Sequence, residues 1–216
     1  MQAPDTYQNI YARLLKREPF PNSRAASSLV NLTSDLDLNP GLKAKLTGRK
    51  FKPAAVLIPL QIFGDDIKIL LTKRSEDLPD HPGQISFPGG TRERGESAKT
   101  TALRESREEI GLPESHVHIL GEMPRYQVAT GFEVTPVIGL IENDFKIILD
   151  EREVSEVFYV PLDFLINPDN HKKHSREFMG QPRFFHAIPY EGYYIWGATA
   201  AIIVNFSVLL LDYAAG

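Results

Sequence analysis

GGTRERGESAKTTALRESREEIGL, residues 89–112, puts a glycine pair, a charged loop and a breaker-free run into one stretch. Gly95 and Ser97 offer start signals, and Gly111 followed by Leu112 and Pro113 offers a stop, so the spacing predicts a helix over 98–110. With Ala98 as origin and about 100° per residue, Ala102, Leu103, Ser106 and Ile110 fall on one side. Glu105 and Glu109 fall near the origin, and Glu108 lies one step farther round. The i, i+3, i+4 spacing gathers these three carboxylates at the edge of the buried face. On a bare helix they repel one another. A divalent cation reverses that sign, and hard oxygen ligands at this spacing suit Mg²⁺ or Mn²⁺.

Two neighbours support the cluster. Arg104 sits one turn before Glu108 and can pair with it, fixing its rotamer. Gly89 and Gly90 permit a close backbone approach, so a carbonyl of the glycine loop is a further candidate metal ligand, placed here at Gly90. The plainer reading of a Glu/Arg run is a solvated helix face. The glycine pair, the spacing to Glu96 and the Gly111 stop weigh against it here.

Outward from this segment, residues Tyr7 to Lys16 place Tyr7, Ile10, Tyr11, Leu14 and Leu15 at helical spacing. The stretch 17–52, punctuated by Pro19, Pro21, Asn22 and Pro40, reads as a lead-in of small elements. The boundaries expected are 1–52 for this lead-in and 53–213 for one domain. From Ala54 to Phe63 the chain is β-rich, Gly64 to Asp66 make a turn, and IKILLT follows, which predicts a hairpin. Next comes an ordered loop with a short strand at Gln84 to Phe87. Beyond the helix, strands are expected near 117–120, 133–141 and 156–160, then a short helix PLDFLI. Strands near 176–179 and 183–188 and a final helix over 197–212 complete the chain. Strands mixed with few helices point to α/β class, a mixed sheet with helices on both faces in an α/β/α sandwich.

The chain has 216 residues and a formal net charge of −4, with no cysteine. That length suits one substantial domain. The charge supplies no general basic field for nucleic acid. The missing cysteines exclude disulfides, thiol catalysis and cysteine-ligated zinc, and suit a reducing compartment. No apolar run is long enough for a leader or a membrane span, so a cytoplasmic protein without a membrane partner is expected. A homodimer is compatible with this reading.

The segment resembles the box of the Nudix hydrolases. That box runs G, five residues, E, seven residues, then RE, an apolar residue, any residue, EE, any residue, G and an apolar residue. Gly90, Glu96, Arg104, Glu105, Glu108, Glu109, Gly111 and Leu112 stand at those positions, and Ser106 replaces an apolar residue. Upstream, LLTKRSEDLPDHPGQISFPGG (70–90) is similar to the segment that marks the coenzyme A pyrophosphatase branch, through Leu70, Leu71, Thr72, Arg74, Ser75, His81, Gly83, Phe87, Pro88, Gly89 and Gly90. The arginine often found between the RS pair and the histidine of that branch is absent.

The resemblance implies a Nudix-type α/β/α fold and metal ligation by Glu105, Glu108 and Glu109. It also implies Glu105 or a neighbour as base, Arg104 orienting a glutamate, and Glu96 supporting the loop. The expected substrate contacts are Arg74, His81, Gln84 and Phe87. The expected reaction is hydrolysis of coenzyme A, or an acyl-CoA, to 3′,5′-ADP and 4′-phosphopantetheine. The rivals are hydrolysis of another nucleoside diphosphate derivative, such as ADP-ribose or NADH, and a ligand-sensing module without catalysis. Elsewhere, His116 and His118 read as alternating on one strand face, and Glu153 and Glu156 as surface or hairpin charges, with a further acid for the site as the alternative. Tyr126, Phe132 and Trp196 are aromatics able to stack on adenine, with burial as the default.

Overall fold

The computed structural model describes residues 4–20, 34–46, 48–178 and 180–215. Residues 21–33 of the expected lead-in, and Met179, lie outside the described residues. In chain order the elements are α1 (Pro4–Leu15), α2 (Asp35–Leu38), α3 (Pro40–Leu46), β1 (Lys52–Phe63), β2 (Asp66–Arg74), β3 (Ile85–Ser86) and β4 (Gly89–Thr91). Then follow α4 (Ala98–Ile110), β5 (Val117–Glu122), β6 (Tyr126–Gln127), β7 (Phe132–Ile141), β8 (Val154–Pro161) and α5 (Leu162–Ile166). The chain closes with β9 (Lys172–Phe178), β10 (Gln181–Tyr190), β11 (Tyr193–Trp196) and α6 (Ala198–Ala215).

The main sheet has the order β3-β2-β1-β7-β5, with β4 also on β1, β6 on β7 and β8 on β2. β1 and β7 run parallel, with Ala55 opposite Thr135 and Leu57 opposite Val137. The other pairings are antiparallel, so the sheet is mixed. Alternation along β1 divides the core. Ala55 and Leu57 join Val137, Ala98, Ala102 and Ile110 on one face. Ile58 and Leu60 join Ile10, Leu14, Leu165 and Phe206 on the other. α4 therefore covers one face, and α1, α5 and α6 cover the other. A strand buried on both sides must be apolar at successive positions, which explains the unbroken run in β1.

α6 is apolar around most of its circumference because it lies between the sheet and α1. Phe20 stacks on Tyr213 at a centroid distance of 4.1 Å, which ties the end of the first helix to the last one. A second, smaller sheet has the order β11-β10-β9. It packs through Tyr193, stacked on Phe158 at 3.8 Å. Asn39 accepts from the Phe184 N–H at 2.8 Å and donates to its carbonyl at 3.0 Å. Among the described residues no helix is long and apolar enough to cross a membrane.

The hairpin at 54–72, the helix over 98–110 and the three-layer arrangement agree with expectation. Three details differ. Gly89 and Gly90 are not loop but strand, because β4 pairs with β1 at Val56 and Ala55. The residues before the last helix form a third strand, β11, paired from Tyr190–Tyr193 to Ala187–Trp196. His116 lies in a short 3₁₀ turn over Glu114–His116, so only His118 belongs to β5.

Candidate metal and active site

α4 is closed at both ends by local chemistry. The Ser97 hydroxyl accepts the Thr100 N–H at 3.1 Å. At the other end Gly111 adopts φ 73°, and the Leu112 N–H reaches back to the Ser106 carbonyl at 3.3 Å, a Schellman closure. Ser106 is fully buried and donates to the Ala102 carbonyl at 2.7 Å. A serine therefore serves at the position where an apolar residue is usual.

The three carboxylates predicted to share a patch lie in different environments. Glu109 is 5% exposed, and its Oε2 accepts the Gly89 N–H at 3.2 Å. Burial pushes its carboxyl up to about 8, against the pull of that N–H, and the charges of Glu105 and Glu153 add to the rise. Glu105 is half-buried and is raised by burial, opposed by Arg104 and reinforced by Glu108 and Glu153. Glu108 is half exposed.

Arg104 organises the group. Its guanidinium pairs with Glu96 at 2.8 Å, Glu105 at 2.9 Å and Glu108 at 3.0 Å, and it donates to the Thr91 carbonyl at 3.3 Å. Glu96 also accepts from the Glu93 N–H at 2.9 Å and the Thr101 hydroxyl at 2.7 Å. These partners, the Arg104 hydrogen bond first, hold its carboxyl down at about 2. Glu96 thus fastens the loop and the arginine.

The glycine pair fits closely against these groups. A β-carbon on Gly90 would stand 2.6 Å from the Glu105 Cδ, and one on Gly89 would collide with the Ala55 carbonyl and, at 2.6 Å, with the Val56 Cα. The loop after β7 closes the other side. The Ile148 N–H donates to the Ile110 carbonyl at 3.1 Å and the Asp150 N–H to the Glu109 carbonyl at 3.0 Å. These bonds satisfy carbonyls that the end of α4 leaves open. They also bring Glu153, expected among the surface charges, close enough to raise both Glu105 and Glu109. Glu153 is 44 positions downstream of Glu109, and no local pattern links the two.

As the side chains stand, no group of three or more acidic or imidazole side chains among the described residues converges on a point able to hold an ion. Arg104 stands among the carboxylates as their cation. The donor set nevertheless suits a hard divalent ion. It comprises carboxylate oxygens gathered on one stretch of helix, beside a glycine that leaves the carboxylate of Glu105 uncovered.

The other expected contacts separate. Arg74 ends β2, and its buried Nε has no partner among the described residues. Its charge acts on Glu109. The Arg74 N–H donates to the Gln84 carbonyl at 2.9 Å, so Arg74 and Gln84 share one edge of the loop. His81 is exposed and adopts φ 58°, a left-handed conformation held by the loop. Phe87 is 3% exposed and belongs to the core. Its ring anchors the loop from below, a correction to its expected contact with substrate. Tyr126 is withdrawn in the same way: it is 2% exposed and donates to Asp35 at 2.7 Å.

The NUDIX domain model matches residues 51–181. The chain is 37% identical over 178 residues to the uncharacterized Nudix hydrolase NudL of Pectobacterium atrosepticum, covering 82% of this chain and 91% of that one. It is 39% identical over 153 residues to NudL of Escherichia coli, covering 70% and 79%. It is 32% identical over 174 residues to the peroxisomal coenzyme A diphosphatase NUDT7 of Mus musculus, covering 77% and 72%.

Proposed function

Because the chain belongs to the Nudix family of hydrolases that act on diphosphate bonds with divalent metal ions, we propose that it is a coenzyme A diphosphatase. In this reading it releases 3′,5′-ADP and 4′-phosphopantetheine, and it also accepts acyl-CoA. The ion is Mg²⁺ or Mn²⁺, held by Glu105, Glu108 and Glu109 with the carbonyl of Gly90. The observation that carries the reading is the contact between the two motifs. The segment 70–90, similar to the coenzyme A branch, ends at Gly89 and Gly90 against the carboxylates of Glu109 and Glu105. The similarity to the mouse coenzyme A diphosphatase supports the same substrate.

When bound, divalent ions supply charge neutralisation of the diphosphate and acidification of the attacking water. The protein's own groups do the rest. Glu105, whose pKa burial raises, or a neighbouring carboxylate takes the proton as the water oxygen attacks phosphorus and the P–O anhydride bond breaks in line. Arg104 orients Glu105 and Glu108, and Glu96 orients Arg104. Arg74, His81 and Gln84 contact the substrate from the preceding loop.

The test is incubation with Mg²⁺ or Mn²⁺ and CoA, acyl-CoA, ADP-ribose or NADH, followed by separation of products. The expected result is cleavage of CoA to the two named products. Survival of CoA while ADP-ribose is cut would overturn the substrate, and no cleavage at all, with a ligand raising thermal stability, would overturn catalysis.

A further inference from the structure

We propose that the outward face of the small sheet is a base-stacking platform that takes an adenine nucleotide. The class of ligand follows from the face itself. Its identity as the nucleoside half of coenzyme A rests on the diphosphatase reading above.

Alternation along the strands gives this sheet two faces. Ile188 and Ile195 pair with each other and are fully buried, so their face meets the core. The opposite face carries Lys172, His174 and Arg176 on β9, Phe185 on β10, and Tyr194 and Trp196 on β11. Its four rings form one connected group. Phe185 meets Trp196 edge-on at 5.3 Å and His174 at 6.1 Å between centroids. His174 Nδ1 and the Tyr194 hydroxyl are 2.7 Å apart, with the two rings 22° from parallel. The group is not sealed over, for His174 is exposed and Tyr194 is 42% exposed.

The charge on this face has one sign. Lys172 and Arg176 are exposed, and no Asp or Glu stands on the face among the described residues of the three strands. Arg183 shares the face and is held by Asp35 at 3.6 Å. The chain as a whole carries a formal net charge of −4, so the cations here are a local feature. Exposed rings offer a stacking surface to a base, and neighbouring cations attract phosphate. A ligand that joins a flat π-system to an anion, a nucleotide, complements both.

The platform also adjoins the segment read as contacting the substrate. β11 is fastened to that segment at both ends. The Tyr193 hydroxyl donates to Glu156, which stands opposite Lys73, beside Arg74. Beyond Trp196, the Thr199 hydroxyl donates to the Ile85 carbonyl at 3.0 Å, next to Gln84. A nucleotide on the platform therefore lies beside the loop that brings Arg74 and Gln84 to the diphosphate. The NUDIX model matches residues 51–181, so β11 and nearly all of β10 lie beyond it, and the platform adds substrate choice to the shared hydrolase domain.

Trp196 is the only tryptophan of the chain, which makes its fluorescence a direct report on the platform. The full chain with Mg²⁺ is titrated with 3′,5′-ADP or with 4′-phosphopantetheine, exciting at the red edge of indole absorption, where adenine does not absorb. The nucleotide should quench Trp196 with saturation, and 4′-phosphopantetheine should not. In calorimetry, Tyr194→Ala should weaken 3′,5′-ADP about tenfold, and Arg176→Gln about threefold or more. In turnover, Tyr194→Ala should raise KM for CoA about tenfold, with a smaller change in kcat. Both side chains are exposed, so neither variant opens a cavity. The platform is overturned if 3′,5′-ADP leaves Trp196 unquenched, if 4′-phosphopantetheine quenches it equally, or if both variants keep wild-type affinity. Tighter binding of a short oligoadenylate than of 3′,5′-ADP would overturn it too, in favour of a single-stranded nucleic acid. CoA cut without quenching would remove the platform and leave the diphosphatase reading standing. Quenching without cleavage of CoA would do the reverse.

Discussion

Gly90 faces the carboxylate of Glu105 so closely that a β-carbon would stand 2.6 Å from both Cδ and Oε1. The backbone φ of Gly90 is not left-handed, so the constraint is contact and not conformation. The strand that carries the substrate segment and the helix that carries the carboxylates meet here without an intervening side chain.

Gly90→Ala should therefore displace Glu105 and lower kcat/KM by about a hundredfold, with a loss of stability of about 1–3 kcal/mol. Adding Glu105→Ala to it should recover the stability and not the activity. Equal stability of Gly90→Ala and wild type in urea would contradict the contact.

Glu109→Gln keeps an acceptor for the Gly89 N–H and cannot form the carboxylate that a divalent ion needs. Turnover should fall about a hundredfold or more, and the helix signal in circular dichroism should persist. Retained activity in this variant would sink the metal assignment.

The metal-free protein should lose stability as pH rises. Glu109 titrates near 8 in the fold, against an ordinary value of 4.5. Between those values the folded state holds a proton that the unfolded chain releases, so stability declines with each step upward until about pH 8. Glu96 works in the opposite sense, but its window lies between 4.5 and about 2 and does not overlap. Melting in EDTA should thus give a lower Tm at pH 8.5 than at pH 6, and added Mn²⁺ should raise Tm more at pH 8.5. A slope that survives in Glu109→Gln would assign the effect elsewhere.

Arg104→Lys keeps the charge and loses the fork that reaches Glu96, Glu105 and Glu108 together. Orientation should suffer more than binding, so kcat should fall about 10- to 100-fold with a smaller change in KM. A change confined to KM would make Arg104 a substrate contact instead.

The bounds of α4, its caps, the spacing of its three glutamates and the hairpin that β1 opens were all legible from residue order. Each follows from a period or an end signal within a few residues, and local backbone geometry repeats wherever those residues occur. The strand character of Gly89 and Gly90 was not legible, since pairing with Val56 and Ala55 depends on a partner more than thirty positions away. The inequality of the glutamates was hidden for the same reason. Glu109 is buried, and Glu105 partly so, because the Gly89 strand and the Asp150 loop close over the helix end. Glu153 bears on Glu105 and Glu109 only once distant segments are brought together. Burial and electric field are sums over neighbours in space, and residue order alone does not specify those neighbours.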